Sequence, residues 1–174
     1  MNITTRTDGI IEVEITDEMV SAARAKAQEM GALKNSIRRG DGNLAGFLGE
    51  EVVRAAWGGT SEDNTYQHDI VFEDENGTVT FEVKTKDRTV PPRLDYEASV
   101  ANFNTSQRAD FYVFVSLYRV KETGDYTRGY IMGVIEKEAY KTRATFLKVG
   151  DTDPSNGWKV SADCYNLPYA DLAR

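Results

Sequence analysis

The chain has 174 residues, 40% hydrophobic and 28% charged, with 21 Lys and Arg against 28 Asp and Glu and a formal net charge of −7. A single cysteine, Cys164, excludes a disulfide scaffold, and a single histidine, His68, leaves too few ligands for a Cys/His zinc site, which takes about four. The longest apolar run, Phe111 to Val115, is far too short to cross a bilayer, and the N-terminus lacks the apolar core of a signal peptide. The expectation is therefore a soluble, cytoplasmic chain with no membrane partner. The acidic balance disfavours a purely electrostatic nucleic-acid binder, but not an enzyme whose phosphate contacts are local.

No repeat, low-complexity tract or Pro/Ser-rich linker divides residues 1–174, so one domain is expected. Residues 10–16 alternate like a short strand. Thr16 or Asp17 then offers a cap for a helix whose stripe is Met19, Ala23, Ala27 and Met30, with Gly31 as its stop. After a basic, glycine-containing segment, a second helix is predicted from near Asn43 to Gly58-Gly59. The middle of the chain is strand-rich: 67–72 and 78–86 flank Glu75-Asn76-Gly77, a strong hairpin signal. A polar stretch over 87–94 and a short helix around Tyr96 to Asn102 follow. Phe111 to Arg119 is apolar at both alternating sets of positions, as a strand covered on both faces requires. Strands over 127–135 and 158–167, with a partly helical 136–148 between them, complete an α/β pattern of a central mixed sheet with helices packed on it.

The hairpin carries a register argument. With Asn76 and Gly77 as the two loop residues, Glu75 pairs with Thr78, Phe72 with Phe81, Ile70 with Val83, and Asp69 with Lys84. Side chains alternate between faces along a strand. One face then collects Ile70, Phe72, Phe81 and Val83, while the other collects Asp69, Glu82 and Lys84, with Thr80, Lys86 and Gln67 near them. Asp69 and Glu82 become diagonal neighbours at roughly 5–8 Å. Two carboxylates at that separation suit one hard cation such as Mg²⁺, with Mn²⁺ as a substitute, and the backbone carbonyl of Val83 is a candidate third oxygen. Lys84 beside them is placed to orient an attacking water and to offset charge developing on phosphorus, the chemistry of metal-assisted phosphodiester hydrolysis.

Asp69, then Glu82-Val83-Lys84 on the next strand, after a helix bearing Gly46-Phe47-Leu48-Gly49-Glu50, resembles the PD-(D/E)XK nuclease superfamily. The resemblance covers residues 43 to about 118 and extends toward the C-terminus, which looks like that of phage and bacterial members. His68 stands where the motif name has proline, at a variable position. The resemblance implies a restriction-endonuclease-like fold with the active site on the hairpin, and a Mg²⁺-dependent endonuclease acting on DNA in the cytoplasm of a bacterial or phage-infected cell. It implies 5′-phosphate products and pairing as homodimers. It also implies a helix glutamate that supports the metal or water. By position this is Glu50, which lies with Gly46 and Gly49 on a side stripped of bulk; Glu51, nearer the Leu44, Leu48 and Ala55 stripe, is the alternative.

Lys86, Arg88 and Arg93 begin at this site and are candidate phosphate contacts, relieved only by Asp87; Arg38 and Arg39, ahead of the second helix, are weaker candidates of the same kind. Gln107, before the buried strand, is a candidate polar neighbour of the site, and Tyr96 and Phe103 are candidate stacking residues set against an ordinary core role. His68 falls on the face opposite Asp69 and reads as structural, Cys164 as a small packed residue. Three rivals stay open at this stage: an RNA or branched-DNA nuclease, a catalytically inactive nucleic-acid-binding or protein-interaction domain of the same fold, and an acidic interaction protein without nucleic acid.

Overall fold

The strand predicted over 111–119 is the one around which the rest is arranged. The computed structural model describes residues 1–30, 41–60, 69–102 and 108–174. In chain order the elements are β1 (Ile3–Thr5), β2 (Ile11–Glu14), α1 (Asp17–Met30), α2 (Asp41–Trp57), β3 (Ile70–Asp74), β4 (Gly77–Arg88), β5 (Glu97–Ala101), β6 (Phe111–Arg119), β7 (Tyr126–Glu136), α3 (Lys137–Arg143), β8 (Thr145–Leu147) and β9 (Cys164–Pro168). Six strands form a mixed sheet in the order β1-β2-β7-β6-β4-β3, in which only β4 and β6 run parallel; a second sheet has the order β5-β9-β8. The chain is thus mixed α/β.

Alternation along β6 explains the layering. Val113, Val115 and Leu117 enter one core with Leu48, Val52 and Val53 of α2 and Met19 and Ala23 of α1. Tyr112 and Phe114 enter a second core with Ala98 and Val100 of β5, Tyr140 of α3 and Leu167 of β9. Both helices that precede the hairpin therefore cover one face, while α3 and the small sheet cover the other. Thr16 caps α1 as the sequence suggests, accepting the Met19 N–H at 3.3 Å. Among the described residues no helix is long and apolar enough to cross a membrane.

Three expectations need correction. The stretch 97–101 is a strand, because Ala98 and Val100 are buried while the residues between them are not, and pairing with β9 enforces that period of two. The last strand starts only at Cys164, since the preceding residues are tied up in a loop built on Asp153, whose carboxylate takes the Ser155 N–H and hydroxyl at 2.8 and 2.7 Å. The hairpin register is displaced by two residues: Phe81 faces Ile70 rather than Phe72, and the last pair is Asp74 with Gly77. Asp74 causes the displacement, because its carboxylate accepts the Asn76 N–H at 2.7 Å and moves the turn onto Glu75-Asn76. An even slip leaves every side chain on its expected face. The face assignment survives for the paired residues, and Asp69 is tied to the Phe81 carbonyl and the Val83 N–H on either side of Glu82.

Candidate active site

The site lies at the start of β3, beside the middle of β4. Among the described residues β3 pairs with β4 from Ile70 to Asp74, and β4 runs beside β6 as far as Arg88. Asp69, just ahead of β3, donates its N–H to the Phe81 carbonyl at 2.8 Å, and its Oδ2 accepts the Val83 N–H at 2.7 Å. This bond fixes one carboxylate next to Glu82. Glu82 is itself only 1% exposed, with Oε1 on the Lys84 ammonium and Oε2 buried without a hydrogen-bond partner among the described residues. The structure thus brings Asp69, Glu82, Val83 and Lys84 together.

Burial raises the proton affinity of Glu82; Lys84 opposes this, and the Asp69 charge adds to it. Glu50 is pushed up to about 7, first by burial and then by Asp69, with Arg54 and Lys26 pulling partly back. Asp69 is therefore the neighbour that acts on both other carboxylates. Glu51 is bonded to Arg54, with Lys26 at 4.0 Å, and the same two cations stand 3.6 and 3.9 Å from Glu50 Oε2. The Asp69 charge felt at Glu50 is what supports Glu50 as the helix glutamate of the site.

The helix reaches this position through its glycine. A Cβ on Gly49 would lie 2.0 Å from Thr85 Oγ1, so α2 rests directly on β4 there, while Gly46 has nothing within 4 Å of such a Cβ. The bare side read from the sequence is thus filled by the sheet at Gly49 and left open at Gly46. Among the described residues no group of three or more His, Cys, Asp and Glu side chains gathers to hold a metal. Asp69 and Glu82 are a two-carboxylate oxygen donor set, and the buried, unpartnered Oε2 of Glu82 is suited to a hard cation that keeps most of its waters.

The cations beyond the site divide. On one face of β4, Lys86 is exposed. Arg88 lies on the same face but is turned into packing: its guanidinium stands 4.7 Å from the Tyr96 ring and 5.9 Å from that of Tyr169, with Nε buried. Tyr96 thus serves the second core and that contact. Arg93 is exposed and bonded to Asp95. Asp87 does not offset Lys86, because it faces the other way, toward Arg119 at 3.2 Å and Tyr126 at 3.4 Å. Arg38, Arg39, Gln107, His68, Gln67 and Phe103 lie outside the described residues.

Two residues at the site were not anticipated. Tyr112, the register partner of Glu82 on β6, is fully buried. Lys137, the first residue of α3, is buried with its Nζ 5.6 Å from the Tyr112 ring, the same distance as Lys84 Nζ. Ile135-Glu136-Lys137-Glu138 reads as a strand end running into a solvated helix, so nothing local marks the lysine as internal. No protein-family model matches this chain, and no curated protein matches it.

Proposed function

We propose that this chain is a metal-dependent nuclease of restriction-endonuclease-like architecture that hydrolyses DNA phosphodiester bonds, with endonucleolytic cutting by a pair of identical chains. The observation that carries the reading is Glu82: a carboxylate 1% exposed, beside a second carboxylate and a lysine, with one oxygen unpartnered. Gathering like charges in low dielectric opposes folding, and such perturbed groups concentrate where chemistry needs them. The mixed sheet, with a helix laid on the hairpin strand, supports the architecture that the resemblance implies.

Asp69 and Glu82 would hold Mg²⁺ or Mn²⁺, which when bound supplies Lewis acidity to the phosphate. The chain's own residues do the rest. The Val83 N–H fixes Asp69, the Tyr112 ring and Lys84 bracket Glu82, and the Lys84 ammonium orients the nucleophile and offsets charge on phosphorus. Lys86, exposed on the same face of β4, contacts the passing backbone.

The test is incubation of supercoiled circular DNA with and without Mg²⁺ or Mn²⁺, alongside the Glu82→Gln and Lys84→Ala variants. Nicking or linearisation by the wild type, abolished by Glu82→Gln and lowered roughly 10²-fold by Lys84→Ala, is the expected result. Undiminished cleavage by Glu82→Gln in a preparation free of contaminating nuclease would falsify the assignment. Matched duplex, single-stranded, junction and RNA substrates separate the substrate classes.

A further inference from the structure

Lys137 is 5% exposed, and its Nζ is buried with no hydrogen-bond partner among the described residues. An ammonium group in that position is strongly unfavourable unless something nearby answers its charge. What answers it is the site just described. Lys137 lies over the Tyr112 ring, its field is coupled to Glu82, and Lys84 stands equally far from the same ring. Glu82 is thus attended by two ammonium groups, one adjacent in its own strand and one brought from the start of α3. Desolvation weakens the hold of Lys137 on its proton, while the charge of Glu82 strengthens it.

We infer that Lys137 sets the divalent-cation affinity of the site, acting as a fixed internal charge that opposes a cation at Glu82. The inference rests on the nuclease reading and adds to it. Lys137 touches neither substrate nor reacting atoms and is a positioning residue. Removing one unit charge whose field is felt at Glu82, at the effective dielectric of a protein interior, should tighten cation binding there by about tenfold.

The measurement is Mn²⁺ binding to the full chain without DNA, read by electron paramagnetic resonance, for wild type, Lys137→Met, Lys137→Arg and Lys137→Met/Glu82→Gln. Tighter Mn²⁺ binding by Lys137→Met, near-wild-type binding by Lys137→Arg, and loss of the gain in the double variant are expected. A purely structural lysine would not separate the methionine from the arginine variant in this direction. Should Lys137→Met fail to fold by circular dichroism, Lys137→Gln carries the same expectation. Unchanged or weaker Mn²⁺ binding in the charge-removing variant, or a gain that survives Glu82→Gln, overturns the inference. If the wild type binds Mn²⁺ through Glu82 and cuts DNA, that result leaves the nuclease reading standing. If neither wild type nor variant binds Mn²⁺ and the wild type does not cut, both fall together.

Discussion

Gly49 and Thr85 touch with no side chain between them: a Cβ on the glycine would sit 2.0 Å from Thr85 Oγ1 and 3.0 Å from its Cβ. The contact seats α2 on β4 one residue from Glu50 and one from Lys84. A similar approach recurs where a Cβ on Gly129 would meet Val52 Cγ2 at 2.5 Å, so the helix is held close to the sheet at two points. Gly49→Ala is expected to lower stability by about 1–3 kcal/mol through overpacking, read as a lower urea midpoint. Thr85→Ala in the same chain removes Oγ1 and Cγ2 and should recover part of the loss. Full stability of Gly49→Ala alone would contradict the contact.

Glu50 makes the fold pH-sensitive. Its folded pKa stands at about 7 against an ordinary 4.5, raised by burial and by Asp69. The folded chain therefore binds this proton more tightly than the unfolded chain does. The contribution is fully present below the unfolded value, is lost as pH rises through the folded value, and is constant above it. Between about pH 4 and pH 8 the loss should approach roughly 2–3 kcal/mol. Urea titrations across that range should show Glu50→Gln with a much flatter dependence. An unchanged slope in the variant would place the proton elsewhere.

Asp69 has a structural duty that the sequence did not disclose. From sequence, removing it should leave the fold intact or even relieve repulsion with Glu82. In the structure its Oδ2 accepts the Val83 N–H at 2.7 Å. Asp69→Ala leaves that N–H without its acceptor and should cost about 1–2 kcal/mol. Asp69→Asn keeps an acceptor oxygen and should retain most of the stability while still losing Mg²⁺-stimulated cleavage. Comparing the two by urea unfolding and by plasmid nicking separates the roles.

What the sequence discloses and what it hides follow from how local each signal is. The layering of β6 was readable because Phe111 to Arg119 is apolar at both parities, and the gathering of Glu82 with Lys84 followed from a period of two. The register was misplaced by Asp74, whose side chain outcompetes the Asn-Gly signal for the turn. The even displacement preserved the faces of the paired residues, while Asp69 is held by the Phe81 carbonyl and the Val83 N–H that flank Glu82. Lys137 was invisible because its burial is created by β6 and the second core, contacts set by tertiary packing. Arg88 was read with Lys86 for the same reason, since nothing near it in sequence shows that Tyr169 lies against it.

That last distinction yields a prediction about nucleic-acid binding. Lys86, Arg88 and Arg93 look equivalent along the chain, yet each has different surroundings. Lys86 is exposed on the face of β4 that carries Glu82 and Lys84, so Lys86→Ala should weaken DNA binding and reduce the salt slope by about 1. The Arg88 guanidinium is packed against Tyr96 and Tyr169, so Arg88→Ala should first lower thermal stability, by about 1–2 kcal/mol. Arg93 is already neutralised by Asp95, so Arg93→Ala should leave the salt slope nearly unchanged. Fluorescence anisotropy with a labelled duplex across a salt series, beside thermal melts, checks all three. A salt slope that falls for Arg93→Ala and holds for Lys86→Ala would reverse the assignment and move the backbone path off β4.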